Sequence, residues 1–324
     1  MSWRRIMFAV PPQGSISQIE LGKAVRLALS CEADLQLQQV IYSADILHPV
    51  RLSPAQEGLA IRREVNRCRE ELERVAYLLR ARGVRVKCSV HWDEPWHEAV
   101  VRQALRHESD LLIVPRRVRD GAARSLLARA DYRLIETCPC ALLLLKTARP
   151  YLDPVIMAAV DPACAHRKPA DLDDAILDAA ESVCHAVAGR LIVCHACPPW
   201  QQVADRESEL RHVPETVQAD LQAAYANHVE ARVQALLNRH RIRDGQIQVI
   251  QASAKEAILQ VARRSGADVV TIGAVSRSSL RRLLVGHTSE RVLDPLDSDV
   301  LIVKPRSFRT PVSAASTHHA RWAS

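Results

Sequence analysis

Apolar and polar positions along this 324-residue chain fall into two alternating kinds of segment. Short apolar runs, Arg4–Val10, Leu35–Tyr42 and Val84–Trp92, read as strands; between them lie longer stretches with apolar positions at three- and four-residue steps, which read as helices. One of these begins at Ser53, an N-cap followed by Pro54 at the first helical position, and runs to Arg82, where Gly83 stops it. Ile61, Val65, Cys68, Leu72, Val75 and Leu79 mark its buried stripe. Helices over 17–31, 95–107 and 130–137 and strands over 110–114 and 141–146 complete a β-α-β-α-β-α-β-α-β order. Alternation of this kind requires a parallel sheet covered on both faces, with right-handed crossovers.

After Pro150–Pro154 the order starts again. Strands are predicted over 155–160, 190–195, 247–251, 267–272 and 299–303, and helices over 170–187, 213–239, 254–266 and 288–296. The copies align: an offset of 150 carries Met7, Ala9 and Val10 onto Met157, Ala159 and Val160, and an offset of 158 carries Leu142–Lys146 onto Val300–Lys304. The expected architecture is two tandem open five-stranded parallel sheets, domains 1–149 and 150–306, with a small, polar, aperiodic tail over 307–324 that is expected to be disordered.

Composition changes this picture little. The chain is 48% hydrophobic and 25% charged, as in ordinary globular proteins. No apolar run reaches the ~18–20 residues of a membrane span, the N-terminal run is too short for a signal sequence, and nine irregularly spaced cysteines suit a reducing compartment; a cytoplasmic protein with no membrane partner is expected. Charge is more informative. Residues 1–150 hold 24 Lys/Arg against 17 Asp/Glu, whereas 151–324 hold 20 of each, so the net +7 belongs to the first half. Arg116, Arg117, Arg119, Arg124, Arg129 and Arg133 supply much of it, but without interleaved aromatics or a nucleic-acid motif they read as a solvated face.

Open parallel sheets bind ligands outside the carboxyl ends of their strands. In the second copy those ends carry Asp161, then His195-Ala196-Cys197, then Ile272-Gly273. From Gly273 a polar, arginine-bearing loop passes Ser276 and meets Gly286-His287-Thr288 before a predicted helix. This strand, loop and helix start aims backbone N–H groups and a positive helix end at one spot, which suits a phosphate.

The run Ile272-Gly273-x-x-Ser276, nine residues, Gly286-His287-Thr288, with the Asp161 strand end, the strand ending in His195 and the closing Val300–Pro305, resembles the universal stress protein family, specifically its tandem E-type members, over nearly all of 4–306. The resemblance implies the family's nucleotide-binding α-hydrolase-like fold, an intramolecular pseudo-dimer, and adenine-nucleotide binding, such as ATP with Mg²⁺, without an established reaction. It also implies roles: Asp161 at the ribose or base, Ala196 and Ile272 along the adenine, and Gly273, Gly286, His287 and Thr288 around the phosphates. Ser276 stands where the family's second glycine belongs, and His287 replaces a small residue. In the first copy the matching positions are Pro11, Pro115, Val118, Ala128 and Ala130, so that copy is expected to be structural.

Rival readings are weaker. Cys164, His166, His195 and Cys197 lie at one sheet edge, but their spacing matches no zinc-finger type, so no metal ligand set is assigned and zinc is not expected. There is no nucleophile elbow and no catalytic residue is assigned; Asp161 with His287 would give at most a slow ATPase. The alternative function is a non-catalytic scaffold or carrier for another small anionic or metal ligand in the same cleft. A homodimer of tandem chains is left open.

Overall fold

The computed structural model describes residues 3–12, 16–43, 53–115, 129–163, 169–197, 215–242, 247–274 and 293–315. They form two compact units, one built on the residues up to Leu152 and one on Asp153–Cys184 with Ala188–Arg306.

The first unit contains strands β1 (Arg5–Val10), β2 (Asp34–Ile41), β3 (Val86–Trp92), β4 (Leu111–Val114) and β5 (Ala141–Leu144). Its helices are α1 (Gln18–Ser30), α2 (Pro54–Arg80), α3 (Trp96–Arg106) and α4 (Arg129–Thr137). Every neighbouring pair is parallel, in the order β3-β2-β1-β4-β5. The second unit contains β6 (Val155–Val160), β7 (Arg190–Ala196), β8 (Ile247–Ile250), β9 (Val269–Gly273) and β10 (Asp299–Val303), with helices α5 (Leu172–Ala186), α6 (Glu215–His240) and α7 (Ala254–Ser265). Its order, β8-β7-β6-β9-β10, repeats the first. All four residues of β4 and all five of β10 are buried, so both sheet faces are covered, as helical crossovers require.

The register repeats as well. Ile6 pairs with Leu111 and Ile156 with Val269, the positions related by the offsets of 150 and 158. A carboxylate fixes each central pair: Asp110 Oδ2 accepts from the N–H groups of Arg4 (2.8 Å) and Arg5 (2.9 Å), and Asp268 Oδ2 from that of Val155 (3.0 Å).

Helix starts follow the sequence signals in part. Ser53 caps α2 in a capping box with Gln56, and Ser253 caps α7 with Glu256. α3 has no side-chain cap behind Pro95. There Asp93, at the end of β3, meets Arg102 of α3 in a paired contact, Nε to Oδ2 at 3.0 Å and Nη2 to Oδ1 at 2.9 Å, with both side chains buried. The predicted helix 288–296 lies outside the described residues except for 293–296. Of the expected tail, 307–315 are described, and the carbonyl of Ala314 accepts from Arg106 Nε at 3.2 Å.

Candidate functional site

Strand order in the second unit reverses between β6 and β9, which places the cleft expected of an open parallel sheet beyond Val160 and Gly273. Side chains alternate between faces along each strand. The register pairs Ala159 with Cys194 and Met157 with Val270, so Ala196 and Ile272 share a face, and the alternation carried one step past Val160 brings Asp161 to it. His195, Thr271 and Gly273 belong to the opposite face.

Asp161 is half-buried, and its loop is tied to the first turn of α5 by a hydrogen bond from its backbone N–H to Asp173 Oδ1 at 3.0 Å. Burial pushes the Cys197 thiol up, a hydrogen bond with Tyr225 opposes the rise, and the Asp161 charge adds to it. Asp161 therefore acts electrostatically across to the end of β7. Tyr225 and Cys197, with Ala163, pack against Val229, Val233 and Leu237 of α6, which gives this edge an apolar wall beside a carboxylate. Ala196 is half-buried and Ile272 buried.

Gly273 has a packing reason of its own. A Cβ built there lies 2.8 Å from Leu172 Cδ2 and 2.9 Å from Ile176 Cδ1, so α5 approaches closely only because the side chain is missing. On the same face His195 is buried, with Nδ1 3.1 Å from the Val160 carbonyl. The imidazole N–H donates there, which leaves Nε2 as a buried acceptor that meets no hydrogen-bond partner among the described residues; Thr271 Oγ1 is likewise buried and, among the described residues, unpaired. Orphaned polar atoms of this kind cost about 1–3 kcal/mol each unless water or a ligand group meets them.

Ser276, Gly286, His287 and Thr288 lie outside the described residues, as do Cys164 and His166 of the zinc reading. The structure thus gathers Asp161, Ala196, Ile272 and Gly273 at one sheet edge. In the first unit the same edge carries Pro11, whose carbonyl accepts from Gln39 Nε2 at 3.1 Å, and buried Pro115. Ala130 falls in the first turn of α4, and Val118 and Ala128 lie outside the described residues, as do the arginines from 116 to 124. Arg133 is paired with Glu136 at 2.9 Å. A cavity of about 540 Å³ in this unit opens at the other end of its sheet, among Arg4, Arg5, Cys31, Glu32, Asp34 and Arg85. Two of its arginines are already paired, Arg5 with Glu108 (2.8 Å) and Arg85 with Asp34 (2.6 Å).

Sequence reasoning missed one group of chemistry-bearing side chains. Asp174, Asp178 and Glu181 of α5 gather around His240, the last residue of α6. Their spacing along α5 was visible in the sequence, but the predicted second helix stopped at Arg239, one residue short of the histidine.

The chain matches a family model described as Universal stress protein family twice, over residues 2–146 and 155–304. It is 23% identical to Universal stress protein E of Photorhabdus laumondii over 286 residues, covering 85% of this chain and 87% of that one. It is 25% identical to Universal stress protein E of Escherichia coli strain K12 over 244 residues, 74% of each chain. Among solved structures, a functionally unknown protein from Pseudomonas aeruginosa PAO1 superposes with a TM-score of 0.69 at 24% identity, covering 94% of this chain and 93% of that one. A universal stress protein from Archaeoglobus fulgidus gives 0.60 at 14% identity, covering 93% and 98%. These likenesses in structure establish the tandem α/β fold. Among the described residues no helix is long and apolar enough to cross a membrane.

Proposed function

The chain belongs to the universal stress protein family of stress-response proteins, and from that premise we propose that its second unit binds an adenine nucleotide at the carboxyl ends of β6, β7 and β9 while its first unit serves as a structural partner. The observation that carries this reading is the convergence of Asp161, Ala196 and Ile272 on one face at the point where strand order reverses. A carboxylate there accepts hydrogen bonds from ribose hydroxyls, Ala196 leaves room for a flat base, and Ile272 with the α6 wall supplies apolar cover. Gly273, Ser276, Gly286, His287 and Thr288 are assigned to the phosphate side, because a glycine-framed loop with a threonine hydroxyl before a helix start is a sequence suited to an anion. The role is binding; turnover forms no part of the proposal.

Calorimetric titration of the full chain with ATP and Mg²⁺ tests it. One nucleotide per chain is expected, weakened at least tenfold by Asp161→Ala, since a charge-assisted hydrogen bond contributes about 1.5–3 kcal/mol. Absence of heat and of any thermal shift at millimolar ATP would overturn the nucleotide reading and favour a carrier of another small anion in the same cleft.

A further inference from the structure

We infer that the second unit holds a divalent cation of the zinc class between Asp178 and Glu181 of α5 and His240 of α6, a site that shares no residue with the nucleotide cleft. Asp174, Asp178 and Glu181 stand at i, i+4 and i+7, on one side of α5, a spacing at which like charges repel. The end of α6 answers with Arg239, whose Nη2 lies 3.1 Å from Asp174 Oδ1, and with His240, whose side chain is only 10% exposed.

The imidazole is oriented by a hydrogen bond from Nε2–H to Asp174 Oδ1 at 2.9 Å. In the neutral ring this leaves the Nδ1 lone pair facing inward. It looks toward Asp178 Oδ1 at 3.8 Å and Glu181 Oε1 at 3.7 Å, both beyond hydrogen-bond length. All three ligand atoms lie within 4.8 Å of one another. A lone pair facing two carboxylate oxygens is repulsive; a cation placed among them turns every one of these contacts attractive. Among the described residues the charges of the cluster point the same way, with three carboxylates against the guanidinium of Arg239.

The donor set also selects the ion. One imidazole nitrogen, two carboxylate oxygens and a water make a tetrahedral site of the zinc kind, and a carboxylate on the far ring nitrogen is the usual support for a metal-bound histidine. Nitrogen–oxygen separations of 3.7 and 3.8 Å need only a small contraction to reach about 3.4 Å, the edge of a tetrahedron with ~2.1 Å bonds. Asp178 and Glu181 are 36% and 40% exposed, so a hydrated ion can enter and keep one water.

The test uses the full chain after dialysis against a chelator and without nucleotide, so its outcome is separate from that of the nucleotide reading. Zn²⁺ is followed by calorimetry and Co²⁺ by visible absorption. One equivalent is expected, with tetrahedral Co²⁺ bands. His240→Gln and Asp178→Asn should each weaken binding at least tenfold and remove those bands. Asp174→Asn, which acts through the ring, should weaken it about 10- to 100-fold, and Cys31→Ser, in the first unit, should leave zinc binding unchanged. Saturating Zn²⁺ should raise the melting temperature of the native chain but not that of His240→Gln, whose own cooperative melt shows that it is folded. Unchanged zinc affinity in His240→Gln would place the metal on other ligands and overturn the proposal. No binding at about 100 μM Zn²⁺, a concentration that saturates any micromolar site, would likewise overturn it and leave the cluster as a contact between His240 and its carboxylates.

Discussion

The two units share strand order, central register and the carboxylate that secures it, yet they are held together differently around the same backbone. In the first, α3 is fastened by the buried Asp93–Arg102 pair, which also draws in the Glu94 carbonyl at 3.2 Å and Glu98 at 3.3 Å. In the second, the positions 158 residues on are Gln251 and Gln260, both exposed, and α7 relies on the Ser253–Glu256 capping box. At the strand ends the contrast runs the other way. The first unit has Pro11 and Pro115, and the second has Asp161 and Gly273. A duplicated fold can thus move its polar groups from one end of an element to another without altering the sheet, because the sheet rests on continuous buried apolar strands and on a register that both units keep.

The largest expected effect breaks the first unit's fastening. Arg102→Ala strands a buried carboxylate and should cost about 3–5 kcal/mol, whereas Ser253→Ala in the second unit should cost about 1 kcal/mol. Urea unfolding followed by tryptophan fluorescence reads the first well, since Trp3, Trp92 and Trp96 all belong to that unit. Equal costs would mean that the two helices are secured alike after all.

Gly273→Val comes next. The added side chain collides with Leu172 and Ile176, and overpacking of this kind costs about 1–3 kcal/mol. A melting temperature lowered in the absence of any ligand would confirm a packing role, which makes Asp161→Ala the cleaner probe of binding. The smallest effect concerns the residue after the third helix of each unit. Gly266 closes α7 with φ +63°, and its counterpart Glu108 sits at φ +47° behind α3. Gly266→Ala should therefore cost about 1 kcal/mol, whereas Glu108→Gly relieves the positive φ but forfeits the exposed pair with Arg5, so the two terms offset and the change should stay within about 0.5 kcal/mol. Thermal unfolding that lowers the melting temperature of the first variant and leaves that of the second nearly unmoved is the expected result.

The fold was legible because its evidence is periodic and local. Buried parallel strands are short apolar runs, crossover helices carry apolar stripes, and Ser53 and Ser253 announce their helices by a side chain that acts three residues away. The repeat was legible because duplication keeps spacing. The placement of Asp161, Ala196 and Ile272 was legible too, since strand ends and side-chain alternation follow from the apolar runs, and the structure puts the three on one face. What could not be read depends on pairings between elements. Nothing in the local sequence couples Asp93 to Arg102 across a strand end, and Gly273, taken as a phosphate-loop glycine, is also demanded by a helix that starts a hundred residues earlier in the chain. His240 lies some sixty residues beyond the acidic side chains it joins, so their meeting requires the tertiary fold.

The aspartates that fasten the central strands bear on when each half can take shape. Asp110 reaches back 106 residues to Arg4, and Asp268 reaches back 113 to Val155. Neither central pair can close until roughly three-quarters of its unit has been synthesised, and chains of such long-range contacts fold slowly. Domains complete in order of synthesis. The half with prolines at its strand ends is therefore finished first, and the half that carries Asp161 and the His240 cluster is completed last.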